Sequence, residues 1–318
     1  MRTAASRTRN AAGGPAAGGP RRPVAPRTPA GIGLLVGPLI ALALLAACTG
    51  GSPEPPEAGR SPGAGESSGA GRPSEGWWRP TAGLSWQWQL SGELDLSVEA
   101  DVYDVDLHET SAEQVAALHG RGRRVIAYLN AGAWEEFRPD ADAFPAEVLG
   151  EPNGWPGERW LDIRRVDVLE PIMAARMDLA VAKGFDAVEP DLLEGYTEHT
   201  GFPLTAEDQL AYNRLIARLA HERGLAVGLK NDLPQVPELV GEFDFAVNEE
   251  CAEFAECDLL RPFLDAGKPV FHAEYAVPAA EFCATSRRLG LSSLHKRLEL
   301  DAWRETCSGP PLSGDELE

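Results

Sequence analysis

Polar side chains recur where short apolar runs end: Gln87 and Gln89, Asp104 and Asp106, Asn130, Asp162, Glu189 and Asp191, Lys230 and Asn231, Asn248 and Glu249, and His272, Glu274 and Tyr275. Glu189 and Asp191 are two residues apart, so on an extended strand both point the same way. Asp191 could instead cap the next helix or turn the chain, but the pattern repeats at almost every run. Carboxyl groups gathered in one cup raise one another's pKa. A pair with separated values is what acid/base cleavage of a glycosidic bond needs: one protonated donor for the leaving oxygen, one carboxylate as nucleophile or base. Trp86, Trp88, Tyr196 and Tyr275 offer flat faces that suit sugar rings and attract cations. An aromatic taken alone is more often core packing.

Other chemistries find less support. No GxSxG, HExxH or P-loop occurs. Lys230 could form a Schiff base in an aldolase-like site, yet so many nearby carboxylates argue for an ion-paired lysine. His272 fits a barrel-lining hydrogen-bonding residue, and His199 a solvated loop.

These groups converge only if the runs are strands of one sheet. Residues 85–90, 102–107, 124–130, 160–163, 187–191, 225–229, 243–247 and 269–275 read as strands. Between them the pattern predicts helices near 113–119, 167–183, 205–221, 234–240 and 258–266, with another over 278–289 and one more short strand possible in 290–303. Thr205 with Asp208 resembles a capping box. Residues 133–158 read as a long loop with a short helix on the active side. Strands alternating with helices argue for a parallel sheet covered on both faces. Eight of them in about 220 residues suit an α/β (β/α)8 TIM barrel, whose chemistry gathers at the strands' C-terminal ends. No GxGxxG follows the first strand, which counts against a dinucleotide fold.

The first eighty or so residues cannot contribute to that core. Residues 1–31 hold six Arg and no acid, residues 32–47 are uncharged and apolar, and Leu45-Ala46-Ala47-Cys48 follows. This is the pattern of a secretory signal peptide over 1–48, too short and too interrupted by Pro38 for a spanning helix. Its end resembles a bacterial lipobox, which makes Cys48 the expected lipidation site and the membrane a partner through a lipid anchor. A cleaved signal without lipid and an uncleaved anchor are the alternatives. Residues 49–76 are a disordered Gly/Pro/Ser linker, 77–310 the expected barrel domain and 311–318 a tail. The net charge is −20; that sign repels nucleic acid and anionic lipid and attracts cations, though acidity also simply keeps exported proteins soluble. Setting Cys48 aside leaves Cys251, Cys257, Cys283 and Cys307. An even set outside the cell predicts two disulfides, and Cys251–Cys257 with Cys283–Cys307 is preferred because each closes a local loop. A zinc site is disfavoured by the lack of CxxC pairs. No metal or other cofactor is expected, and the protein is expected to be a monomer.

Several ordered motifs then share one resemblance. Gly184 to Asp191, Thr200-Gly201-Phe202-Pro203-Leu204-Thr205, Asp208-Gln209-Leu210-Ala211-Tyr212-Asn213, Gly228-Leu229-Lys230-Asn231-Asp232 and Phe243-Asp244-Phe245-Ala246-Val247-Asn248-Glu249 resemble the glycoside hydrolase family 114 domain. The resemblance spans about residues 80–305 and implies a TIM barrel with endo-alpha-1,4-polygalactosaminidase activity on a galactosamine-containing polysaccharide. It places the catalytic pair on Asp191 and Glu249; the expected roles, which the resemblance leaves open, are nucleophile for Asp191 and acid/base for Glu249. Strand alternation turns Glu249 inward with Val247, whereas a turn at that point would favour Glu250. Substrate-binding roles are expected for Trp86, Gln87, Asp104, Asp106, Asn130, Glu189, Tyr196, Lys230, Asn231, Glu274 and Tyr275. The rival expectation is a non-catalytic lipoprotein that binds cationic oligosaccharides.

Overall fold

The computed structural model describes residues 76–307. The expected leader, Cys48, nearly all of the linker and the tail lie outside them. Among the described residues no helix is long and apolar enough to cross a membrane.

The chain alternates strands and helices as β1 (Trp86–Gln89), β2 (Val102–Asp106), α1 (Ala112–His119) and β3 (Arg124–Asn130). An excursion follows: β4 (Ala133–Glu135), β5 (Leu149–Pro152) and β6 (Glu158–Leu161). The alternation resumes with α2 (Val166–Lys183), β7 (Ala187–Asp191), α3 (Ala206–His221), β8 (Ala226–Lys230), α4 (Val236–Leu239) and β9 (Phe245–Glu249). It ends with α5 (Arg261–Asp265), β10 (Val270–Glu274), α6 (Ala279–Leu289), β11 (Ser292–His295) and β12 (Glu305–Thr306).

Strands β1, β2, β3, β7, β8, β9, β10 and β11 are neighbours in that order, all parallel, and β12 adds an antiparallel edge. This curled sheet is a TIM barrel. Side chains, with no backbone ladder, join β11 to β1. Trp86 Nε1 donates to the Ser292 carbonyl at 2.8 Å, and Ser292 Oγ to that of Leu84 at 2.7 Å. Arg304 bonds the carbonyls of Trp86 and Glu99 across the same seam.

Two points differ from the sequence reading. The 160–163 run is not a barrel strand: its first two residues end β6, in a separate sheet ordered β4-β6-β5 with antiparallel pairing. Residues 133–158 are a loop with two short 3-10 turns, Ala141–Ala143 and Ala146–Val148, as expected of a loop with a short helix, but they also supply β4, β5 and the start of β6. The barrel's eighth strand is β11, too short at four residues to show a clear period. Helix signals served better. Thr205 and Asp208 do form a capping box at the start of α3, and α2 ends on Gly184 in the left-handed conformation, φ 87°.

Period-two alternation splits the buried residues. Val105, Val125, Val188 and Val227 face the helices. Trp86, Ile126, Ala187, Phe245 and Phe271 fill the lower barrel interior. Continuing inward at the same phase come Asp104, Tyr128, Glu189, Asp191, Lys230, Glu249 and Tyr275, so the apolar plug carries a polar cup above it. Cys251–Cys257 and Cys283–Cys307 are both disulfides, with Cα atoms 4.8 and 5.1 Å apart. The first follows Glu249 almost immediately, and the second ties the segment after β11 to α6.

Candidate active site

Lys230 stands at the centre of the cup. Its ammonium lies 2.9 Å from Asp191 Oδ1, 3.2 Å from Glu249 Oε2 and 3.3 Å from Glu189 Oε1, and 4.9 Å from the Trp88 ring centroid. Burial opposes its charge, yet the three carboxylates hold its pKa well above the ordinary lysine range. An amine kept protonated this firmly has no lone pair for a Schiff base, so the aldolase alternative loses its premise.

Asp191 ends β7. Burial alone would raise its carboxyl, but the Lys230 ammonium and hydrogen bonds from Lys230, Tyr128 and the Leu192 amide hold it below its ordinary value. Tyr128 donates to Oδ2 and the Leu192 N–H to Oδ1, each at 2.8 Å. The amides of Ala131 and Gly132 donate to the Asp191 carbonyl at 3.0 and 3.1 Å and fix its backbone. Leu192 adopts a left-handed φ of 60°, and a Cβ built on Gly132 would lie 1.9 Å from the Leu192 carbonyl oxygen. Only glycine fits there.

Glu249 ends β9 on the same inward phase as Val247. Its amide donates to Asn231 Oδ1 at 2.9 Å, its Oε2 faces Lys230, and the Tyr275 hydroxyl donates to Oε1 in a short hydrogen bond. Burial and the Glu249 charge push the Tyr275 hydroxyl well above its usual pKa, so Tyr275 remains a donor. Lys230 thus touches both carboxylates, which puts the two oxygens facing it, reached by legs of 2.9 and 3.2 Å, at most about 6 Å apart.

Below the pair, Asp104 and Glu189 are both wholly buried. Burial and the Glu189 charge raise the Asp104 carboxyl well above its ordinary value. Burial likewise pushes Glu189 up to about 7 against the pull of Lys230. A carboxyl whose folded pKa is raised contributes stability below its unfolded pKa, near 3.8, that is lost as pH rises through the folded value. Asp104→Asn, which mimics the protonated acid, is therefore expected to leave the melting temperature at pH 7 unchanged or higher and to flatten its fall between pH 4 and 7. A melting temperature that drops at pH 7 would show Asp104 ionised.

The structure brings Asp104, Glu189, Asp191, Lys230, Glu249 and Tyr275 together. Asp106 points inward too, but to Arg138, at 2.8 Å. Asn130 accepts from the Ala133 amide at 2.7 Å and shapes the turn into β4. Asn231, at φ 50°, accepts from the Asn248 side chain as well as the Glu249 amide, and so positions Glu249. Three expected lining residues lie elsewhere. Trp86 is inward but sits in the apolar plug, its rings stacked 5.5 Å from Trp88. Gln87 is on the outer face and bonds the Ala302 carbonyl. Glu274 is also outward, hydrogen-bonded to His272 and the Ala252 amide behind β10. The single-residue phase difference from Trp88 and Tyr275 decides this. Tyr196 lies in a turn over Gly195–Thr197 with its hydroxyl on Asp232. Tyr128 was missed; its phase with Asn130 was the available signal.

The profile of glycoside-hydrolase family GH114 matches residues 68–311. The chain is 36% identical to Aspergillus fumigatus Ega3, whose crystal structure is a complex with galactosamine. The match covers 74% of this chain and all of that one, with a TM-score of 0.68. The glycoside hydrolase domain of PelA from Pseudomonas aeruginosa shares the fold at 17% identity and a TM-score of 0.56, over 70% of this chain and 99% of that one. An uncharacterized protein of Deinococcus radiodurans is 29% identical over 293 residues, which is 80% of this chain and 93% of the relative.

Proposed function

The chain belongs to glycoside-hydrolase family GH114, and from that premise we propose that it cleaves α-1,4-linked galactosamine-rich polysaccharide internally, by a retaining two-carboxylate mechanism. The observation that carries the mechanism is Lys230 in contact with both Asp191 and Glu249. Sharing one ammonium brings the two carboxylates close together, which supports the closer-set pair of a retaining glycosidase over the wider-set pair of an inverting one. Galactosamine in the Ega3 crystal supports the substrate class.

Asp191, held ionised, attacks the anomeric carbon while the bond to the leaving oxygen breaks; Glu249, a carboxylate in the resting site, takes up a proton from solvent as substrate binds and gives it to that oxygen. Glu249 then takes a proton from water, the water oxygen bonds the anomeric carbon, and Asp191 leaves as a carboxylate. Lys230 makes this exchange easy. As Asp191 loses its charge to the glycosyl ester, the ammonium still faces Glu249 and stabilises the charge arriving there. Time-resolved proton NMR of the first products is expected to show the α-anomer before mutarotation. The β-anomer first would overturn the retaining mechanism.

Export and a lipid anchor at Cys48 belong to the same proposal. The Leu45-Ala46-Ala47-Cys48 sequence supports it, and the two disulfides suit an oxidising compartment.

A further inference from the structure

The strands that end in Asp191, Lys230 and Glu249 each leave the barrel through a left-handed residue that is not glycine: Leu192, Asn231 and Glu250. Such conformations cost energy and persist where their surroundings hold them. The turn after β8 is the most demanding, because Asn231 and Asp232 follow one another at φ 50° and 45°. Asn231 in turn holds Glu249, since its Oδ1 accepts the Glu249 amide at 2.9 Å and the Asn248 side chain at 3.2 Å.

This turn is gripped by Glu194, on the loop after β7. Its Oε2 accepts the Asp232 amide at 3.0 Å, and its Oε1 lies a longer 3.4 Å from Asn231 Nδ2. One carboxylate thus engages the backbone of one left-handed residue and the side chain of the other. Asn213 of α3 braces the same corner, donating to Asp232 Oδ2 at 2.9 Å and to the Leu193 carbonyl at 3.0 Å. Asp232 is wholly buried. Burial, with the Glu194 charge beside it, pushes its carboxyl up to about 9, so Asp232 is neutral at pH 7 and spares the corner a second negative charge.

We propose that Glu194 is a positioning residue for Glu249, acting through Asn231; the proposal rests on the glycosidase reading above. Glu194 fixes the Asn231–Asp232 turn, the turn fixes Asn231 Oδ1, and Asn231 fixes the backbone from which the acid/base carboxyl projects. The same contact ties the nucleophile's loop to the acid/base.

The test compares kcat/KM of the wild type, Glu194→Ala and Glu194→Gln on two substrates. One is an α-1,4-galactosamine oligosaccharide, and the other a galactosamine oligosaccharide with an α-linked 2,4-dinitrophenyl leaving group. A departing sugar needs a proton from Glu249, whereas dinitrophenolate leaves without one. Glu194→Ala is expected to lose about 10–100-fold on the first and less than about threefold on the second. Glu194→Gln keeps a carbonyl oxygen for the Asp232 amide and should fall between Glu194→Ala and the wild type. Glu194→Ala with Asn231→Ala should be no worse than Asn231→Ala alone, because both act along one path. Equal losses on both substrates, no loss, or an additive double variant overturns the proposal. A second arm needs no turnover and so stands apart from the hydrolase reading. By NMR hydrogen exchange, Glu194→Ala should speed the Glu249 amide at least about tenfold while the other β9 amides keep their wild-type rates. That result supports the positioning role even if the wild type cleaves neither substrate. An unchanged Glu249 amide, or faster exchange throughout β9, overturns it.

Discussion

Lys230→Met is expected to cost about 3–5 kcal/mol of stability, because it strands carboxylates that the ammonium now neutralises in a buried site. For a domain of this size that is a fall in melting temperature on the order of 10 °C. The side chain is 2% exposed and touches Glu189, Asp191 and Glu249. Without it the Asp191 carboxyl loses its main cationic support, and burial, which already pushes upward, takes over. Its pKa rises. Activity should therefore fall about 10²–10⁴-fold, and what remains should have its acid limb displaced to higher pH, since Asp191 must be ionised to attack. Adding Glu189→Gln removes one uncompensated carboxylate, so the double variant should recover part of the stability and none of the activity. Thermal melts and a pH–rate profile check both halves. A Lys230→Met protein with wild-type melting and an unmoved acid limb would remove Lys230 from its central place.

Gly132→Ala is expected to act on kcat far more than on folding. The added Cβ would lie 1.9 Å from the Leu192 carbonyl oxygen and 2.8 Å from the Leu192 carbonyl carbon and Cβ. Backbone cannot swing aside as a flexible side chain does, so the turn holding Asp191 must move. The overpacking should cost about 1–3 kcal/mol. A shift of about 1 Å in the nucleophile costs about a hundredfold in rate, and binding groups elsewhere in the cup remain in place. The expected signature is kcat down about a hundredfold, KM within a few fold, and an unchanged circular dichroism spectrum. Unaltered kcat would mean that the turn is not what positions Asp191.

The sequence revealed most of the barrel because a strand buried between core and helices is apolar on both faces, and the helices carry caps and a longer period. Glu189, Asp191 and Glu249 were legible for a related reason: polar groups two residues apart at a strand's end must share a face. The errors came where one residue of phase matters. Gln87 lies between Trp86 and Trp88, and Glu274 precedes Tyr275, so both were counted at the correct strand ends but turn outward. The 160–163 run has the apolar character of a barrel strand, but it pairs antiparallel with β4 and β5, which are only three and four residues long, and local pattern carries no information on pairing.

The most direct measurement is product release from a partly deacetylated α-1,4-galactosamine polymer, followed by mass spectrometry, for the wild type, Asp191→Asn and Glu249→Gln. The account predicts internal-cleavage oligosaccharides from the wild type and at least about a hundredfold less from each variant, with all three proteins folded. Activity that survives both substitutions, or a wild type that binds the polymer and releases nothing, would contradict it.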